Sequence, residues 1–214
     1  MLIVVDFEAT CKEERDSVFL EKQEIIEIGL CSVDEIFLDT IHKIDLFVKP
    51  VFHSQLTPFC TSLTTITQNE VDKGFDLAAA MEVCSHFIDY EKDIFCSWGN
   101  FDKNLLSRNL HIRGLSEKYG KVFPRRHVNI KQFVADYDDA RPCGIKAKCA
   151  ELGIVFEGTL HRAIDDAINV VAILRAMQYQ FGASTSEVGQ KLIEYAEKGY
   201  IPLVSQKGIK NGQE

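Results

Sequence analysis

The stretch MLIVVDFEATC, residues 1–11, sets two acids one residue apart at the end of a solidly apolar run. Leu2, Ile3, Val4 and Val5 fill both faces of an extended chain, the pattern of a strand buried in the middle of a sheet. Alternate strand residues share a face, so Asp6 and Glu8 project side by side, roughly 6–7 Å apart along the backbone. Neighbouring carboxylates repel each other and lose hydration, and something positive must compensate them. Oxygen donors converging from one strand suit a hard divalent cation such as Mg²⁺. The competing reading is a strand that stops at Val5 and leaves both acids solvated in a loop.

With 214 residues and 46% hydrophobic content, the chain suits one α/β domain with a sizeable core. Its seven cysteines are an odd number without a CxxC pair, which points to free thiols in a reducing cytosol. Cys143 and Cys149 with His161 fit no common zinc spacing. The apolar start is too short for a signal peptide, and no later stretch approaches the ~20 apolar residues of a membrane span. A soluble, cytoplasmic protein without a membrane partner is expected. The net charge of −8 opposes broad coating of nucleic acid. It leaves room for a narrow cleft, because a bound cation reverses the local sign.

Working outward, EIIEIGLCSVDEIFLDTIHKIDLFVKP (24–50) reads as two further strands, Glu24 to Val33 and Ile36 to Val48, and suggests an antiparallel meander. A short helix is expected from Leu63 to Val71, and apolar spacing predicts another over Asp76 to Tyr90. A fourth strand, Ile94 to Trp98, runs through Gly99 and Asn100 into a helix over Asp102 to Leu110. That order puts Asp102 at the carboxyl end of a strand, where open α/β sheets hold ligands. Arg113 to Arg126 reads as an irregular surface connection, before a short strand at Val128 to Ile130. Helices follow at Lys131 to Tyr137, Gly144 to Leu152 and Ala163 to Tyr179. Ser184 to Glu187 has capping-box spacing, so Val188 to Lys198 predicts a last helix before a polar, fraying end.

In HRAIDDAINVVAILRAM (161–177), the stripe Ala163, Ala167, Val170, Leu174 and Met177 marks a buried helix face. Asp166 lies on or beside that face, where an acid is costly unless it meets a cation, whether a buried Arg or Lys or a metal ion. Asp165 points away and reads as a helix-start acid. His161 precedes the helix beside Gly158, where an imidazole can turn into a cleft and exchange protons near neutral pH. Alone it reads as surface, as do His42, His53, His86, His111 and His127. Together, Asp6, Glu8, Asp102, Asp166 and His161 supply the parts of metal-assisted phosphodiester hydrolysis: carboxylates for two cations and a base for water.

The segments VVDFEATC (4–11), EIIEIG (24–29), FCTSLTTITQNEVD (59–72), SWGNFDKNLL (97–106), NIK (129–131) and LGIVFEGTLHRAIDDAINV (152–170) resemble, in that order, the DEDDh 3′-to-5′ exonucleases of the RNase T and DnaQ superfamily. The closer likeness is to the Eri-1 and histone-mRNA 3′-exonuclease branch. The resemblance implies an α/β fold with an RNase H-like, mixed five-stranded sheet: three antiparallel strands continued by shorter parallel ones, flanked by helices. It implies that Asp6, Glu8 and Asp166 hold a first Mg²⁺ or Mn²⁺ ion, that Asp6 and Asp102 serve a second, and that His161 is the general base. The product implied is a nucleoside 5′-monophosphate, released from the 3′ end of single-stranded or overhanging RNA. Phe59 and Phe101 match base-stacking positions, and Thr10 follows Glu8 closely enough to touch the terminal sugar. Core packing is the competing reading for each Phe. The chain departs from the branch at Thr65 and Ala163, where Gly is common, and at Leu160, where His is common. These bear on substrate preference, since no metal ligand or base is lost.

An exonuclease domain over residues 1–182 is expected, with a C-terminal helix and flexible polar tail over 183–214. The chain starts at the first strand, so specificity is expected from the domain, its last helix or a partner. Two rival readings stay open: a 3′-to-5′ DNA exonuclease of repair or proofreading, since the chemistry needs no 2′-hydroxyl, and a non-catalytic regulator on the same fold.

Overall fold

β1 (Leu2–Ala9) occupies the centre of the molecule, and its strict alternation feeds two separate cores. Leu2 and Val4 face one, Ile3, Val5 and Phe7 the other, and none of the five is more than 3% exposed. The computed structural model describes residues 1–14, 16–180 and 187–198. After β1 come α1 (Ser17–Glu21), β2 (Ile25–Val33), β3 (Thr40–Phe47), α2 (Pro58–Thr64), α3 (Gln68–Asp72) and α4 (Leu77–Ser85). The chain continues with β4 (Ile94–Ser97), α5 (Phe101–Ile112), α6 (Ser116–Tyr119), β5 (His127–Asn129) and α7 (Ile130–Asp138). α8 (Ile145–Glu151), α9 (Ala163–Gln180) and α10 (Glu187–Lys198) complete the described elements.

The five strands lie in the order β3-β2-β1-β4-β5. β1 and β2 pair antiparallel, as do β2 and β3, whereas β1 with β4 and β4 with β5 are parallel. This is the mixed sheet expected, three antiparallel strands continued by two short parallel ones. Helices α7, α8, α9 and α10 bury their apolar sides on one face, and α4, α5 and the α6 region cover the other. The stripe read on α9 is the one buried: Ala163, Ala167, Val170, Leu174 and Met177 are all at most 2% exposed. α10 is docked through Val188 and Leu192, each 0% exposed, while the end after it and Ser184 lie outside the described residues.

Where the elements differ from expectation, local backbone chemistry is the cause. β3 starts at Thr40 rather than Ile36, because the Asp34 carboxylate accepts the amides of Ile36, Phe37 and Asp39 and folds the segment into a turn, with Leu38 at φ 58°. The single helix expected from Leu63 to Val71 is two. Thr57 and Thr67 cap α2 and α3 separately, and Thr65 closes α2 at φ 63°, the left-handed position that favours glycine. The helix expected to run to Tyr90 ends at Ser85. Residues 113–126 are more than surface: Tyr119, Val122 and Phe123 are buried and complete the second core. Among the described residues, no helix is long and apolar enough to cross a membrane.

Candidate active site

Parallel pairing of β1 with β4 brings their carboxyl ends to the same edge, and α9 begins there as well. Asp6 and Glu8 stand at the end of β1, Asp102 in the first turn of α5 just beyond β4, and Asp166 in the first turn of α9. All four, with His161, line one cleft of about 550 Å³. The expected grouping is therefore present in space, and the loop reading of Asp6 and Glu8 is excluded because both lie within β1.

Backbone amides aim the side chains. Phe7 N–H donates to Asp102 Oδ1 at 3.0 Å, tying α5 to the strand between the two β1 acids. His161 N–H donates to Asp166 Oδ2 at 3.1 Å. The other oxygen, Asp166 Oδ1, is buried and has no hydrogen-bond partner among the described residues, and no Arg or Lys among them pairs with this acid. Glu8, His161 and Asp166 each offer a ligand atom within 4.8 Å of the other two.

Burial and mutual repulsion dominate the electrostatics. Burial pushes the Asp6 carboxyl well above its usual range, and Asp102, Glu8 and Asp166 push it further. Burial, then Asp166 and Glu27, raise Glu8 to about 9. Burial raises Asp102 to about 6 and Asp166 to about 7, against the amides of Phe7 and His161 that pull them down. Burial lowers the His161 imidazole below its ordinary value, which favours the neutral, proton-accepting ring. Four crowded acids, one orphaned oxygen and an all-oxygen carboxylate set fit hard divalent cations.

This crowding predicts an unusual stability profile for the metal-free protein. Glu8 and Asp166 have raised folded pKa values, so the folded state holds protons that the unfolded chain has lost above about pH 4. Their contribution is intact below the unfolded pKa and is lost as pH rises through the folded values. From pH 7 to 8.5, above the ordinary histidine value, about one extra bound proton makes the loss about 2 kcal/mol. Thermal melts without metal should fall by roughly 4–8 °C across that window, and Asp166→Asn should flatten the slope. A rising or flat wild-type profile there contradicts the assignment of buried, repelling acids.

Phe101, the first residue of α5, is 50% exposed and lines the cleft. Phe59 is 37% exposed on α2 and does not line it, although Cys60 Sγ–H donates to Ala9 O and seats that helix at the end of β1. Thr10 is 2% exposed, and its hydroxyl oxygen accepts Glu24 N–H at 2.9 Å. Sequence reasoning passed over Trp98 and Lys146, which also line the cleft, and the Glu27–Arg162 ion pair beside His161. Glu27 carried the same signal as Glu8, an acid inside an apolar strand.

Residues 3–174 match the RNase T exonuclease family model, and the chain belongs to that family. It is 30% identical over 190 residues to ERI1 exoribonuclease 3 of Mus musculus, covering 83% of this chain and 53% of that one. The chain thus spans about half the length of such curated relatives. The probable 3′-5′ exonuclease KapD of Bacillus subtilis is 25% identical over 178 residues, covering 83% and 84% of the two chains. Among solved structures, the nuclease domain of 3′hExo, a DEDDh family member bound to rAMP, superposes with a TM-score of 0.74 at 23% identity. It covers 86% of this chain and 93% of that one, which supports the shared fold.

Proposed function

We propose that the protein is a metal-dependent 3′-to-5′ exoribonuclease that removes nucleoside 5′-monophosphates from single-stranded or overhanging RNA. The carrying observation is the convergence of Asp6, Glu8, Asp102 and Asp166 with His161 in one cleft, with Asp166 Oδ1 unpartnered. Asp6, Glu8 and Asp166 would hold one divalent ion, Mg²⁺ or Mn²⁺, and Asp6 with Asp102 a second. Bound there, the pair supplies positive charge for the phosphodiester transition state. His161 accepts the proton of the attacking water through its ring nitrogen. The residues that line the cleft include a single Lys, Lys146, so the carboxylates attract cations before they admit a phosphate. RNA is favoured as substrate because the mammalian relatives are named exoribonucleases. The proposed exonuclease unit is residues 1–182, with α10 docked on it as an appendage.

Digestion of matched 3′-labelled RNA and DNA, with Mn²⁺ and with chelator, tests the reading. Release of labelled 5′-mononucleotide from RNA, abolished by chelator, is expected. Equal or faster digestion of DNA moves the assignment to a DNA exonuclease, and no digestion of either favours a non-catalytic role. Phe101 is proposed to stack on the terminal base and the exposed Phe59 to contact a nucleotide beyond the cleft, whereas Thr10, 2% exposed, presents no side chain to substrate. Stacking contributes about 1–3 kcal/mol per base, so Phe101→Ala should raise KM by about 5- to 100-fold with kcat little changed. An unchanged KM assigns Phe101 to packing instead.

A further inference from the structure

Glu27 is 0% exposed in β2, directly across from Glu8 in β1, and adds a fifth carboxylate next to the four of the cleft. A bare charge there is costly, and Arg162 compensates it with a fork. Arg162 Nε and Nη2 donate to Glu27 Oε1 at 3.0 and 2.8 Å, and Ala163 N–H donates to Oε2 at 2.8 Å. The guanidinium also lies over the Phe47 ring, 5.2 Å from its centroid, which fixes its plane from a second direction. Gly29, two residues along β2, makes the approach possible: a Cβ there would fall 2.1 Å from the Ala163 carbonyl carbon.

The segment anchored in this way is the one that presents His161. His161 has φ 64°, a left-handed conformation that a residue with a Cβ keeps only when its surroundings over-determine it. Before it, Asp165 Oδ2 accepts Thr159 N–H at 2.7 Å; at the ring-bearing residue itself, Asp166 Oδ2 accepts the amide. After it, the anchor is Glu27, reached by the side chain of the next residue and the amide of the one beyond.

We propose that Glu27 and Arg162 are a positioning pair that directs the His161 imidazole toward the carboxylates. The proposal rests on the exonuclease reading for its kinetic consequence. Neither residue lines the cleft, so both act through His161 and not on the substrate. A purely structural ion pair would move stability alone, whereas a positioning pair moves turnover and the state of one histidine.

Two variants separate these roles. Arg162→Lys keeps the charge and loses the fork; Glu27→Gln combined with Arg162→Gln removes both charges and keeps the volumes close. In metal-free protein, nitrogen-proton correlation spectra of the imidazoles should show the His161 signals displaced or broadened in both variants, with the other histidines unmoved. With 3′-labelled RNA at saturating Mn²⁺, kcat should fall by about tenfold or more, because small misplacements of a reacting group are costly. KM should stay within about twofold, since no substrate contact is removed. A variant that melts cooperatively, keeps wild-type kcat and leaves the His161 signals in place overturns the proposal, and either variant alone is decisive if the other fails to fold. If wild-type protein digests nothing, the exonuclease reading fails on its own, and the His161 signals still decide the positioning.

Discussion

Asp6→Asn should abolish exonucleolytic turnover while leaving the protein folded. The amide has the size of the carboxylate but carries no negative charge and keeps a single oxygen, and Asp6 is the acid that feels Asp102, Glu8 and Asp166 together. In the proposed arrangement it is the carboxylate shared by both cations. Losing it removes charge stabilisation from the attacking and leaving sides of the reaction at once. A fall in kcat/KM of at least about 10³-fold, on the order of 4 kcal/mol, is expected in the RNA digestion assay. The metal-free variant should melt no lower than wild type, because the amide stays neutral where burial and three neighbouring acids already oppose ionisation. Activity within about tenfold of wild type would show that the cleft acids do not carry the reaction.

The parts of this site that sequence could reveal are those with a period. Strand alternation placed Asp6 and Glu8 on one edge, and the helical stripe from Ala163 to Met177 placed Asp166 on the inner side of α9. The strand-turn-helix order did the same for Asp102. His161 has no such period. Its position depends on a left-handed turn, on the Asp166 carboxylate behind its amide and on Glu27 in a distant strand, none of which leaves a periodic signal. The family resemblance supplied its role where local pattern was silent. Glu27 was legible by the Glu8 argument, but its partner was not, since nothing in EIIEIG points to Arg162.

The misplaced boundaries of β3, α2 and α3 have a common physical origin. Asp34, Thr57 and Thr67 all bond neighbouring backbone amides, and each such bond competes with extension of a strand or helix. Hydrophobic patterning names the element but not its end. Two element ends shape the site's surroundings: Cys60 seats α2 at the end of β1, and the turn after β4 presents Phe101 to the cleft. Leu160, which also lines that cleft, is one of the three departures from the branch pattern.

His161→Asn should lower kcat by about 10²- to 10⁴-fold, the usual contribution of a positioned general base. Asn is the apt replacement because it tolerates the left-handed backbone at φ 64° better than most residues, so the turn and the Asp166 hydrogen bond survive. The pH profile carries the stronger test. Burial lowers the imidazole's pKa, so the ring becomes neutral, and able to accept a proton, at a lower pH than a solvated histidine. At saturating metal, where the carboxylates are already deprotonated, wild-type kcat should rise with pH with a midpoint below the ordinary histidine value. In the Asn variant that ascending limb should vanish, leaving a low rate that no longer tracks a histidine. The same limb persisting in the variant, with the same midpoint, would transfer the titration to a carboxylate and remove His161 from the reaction.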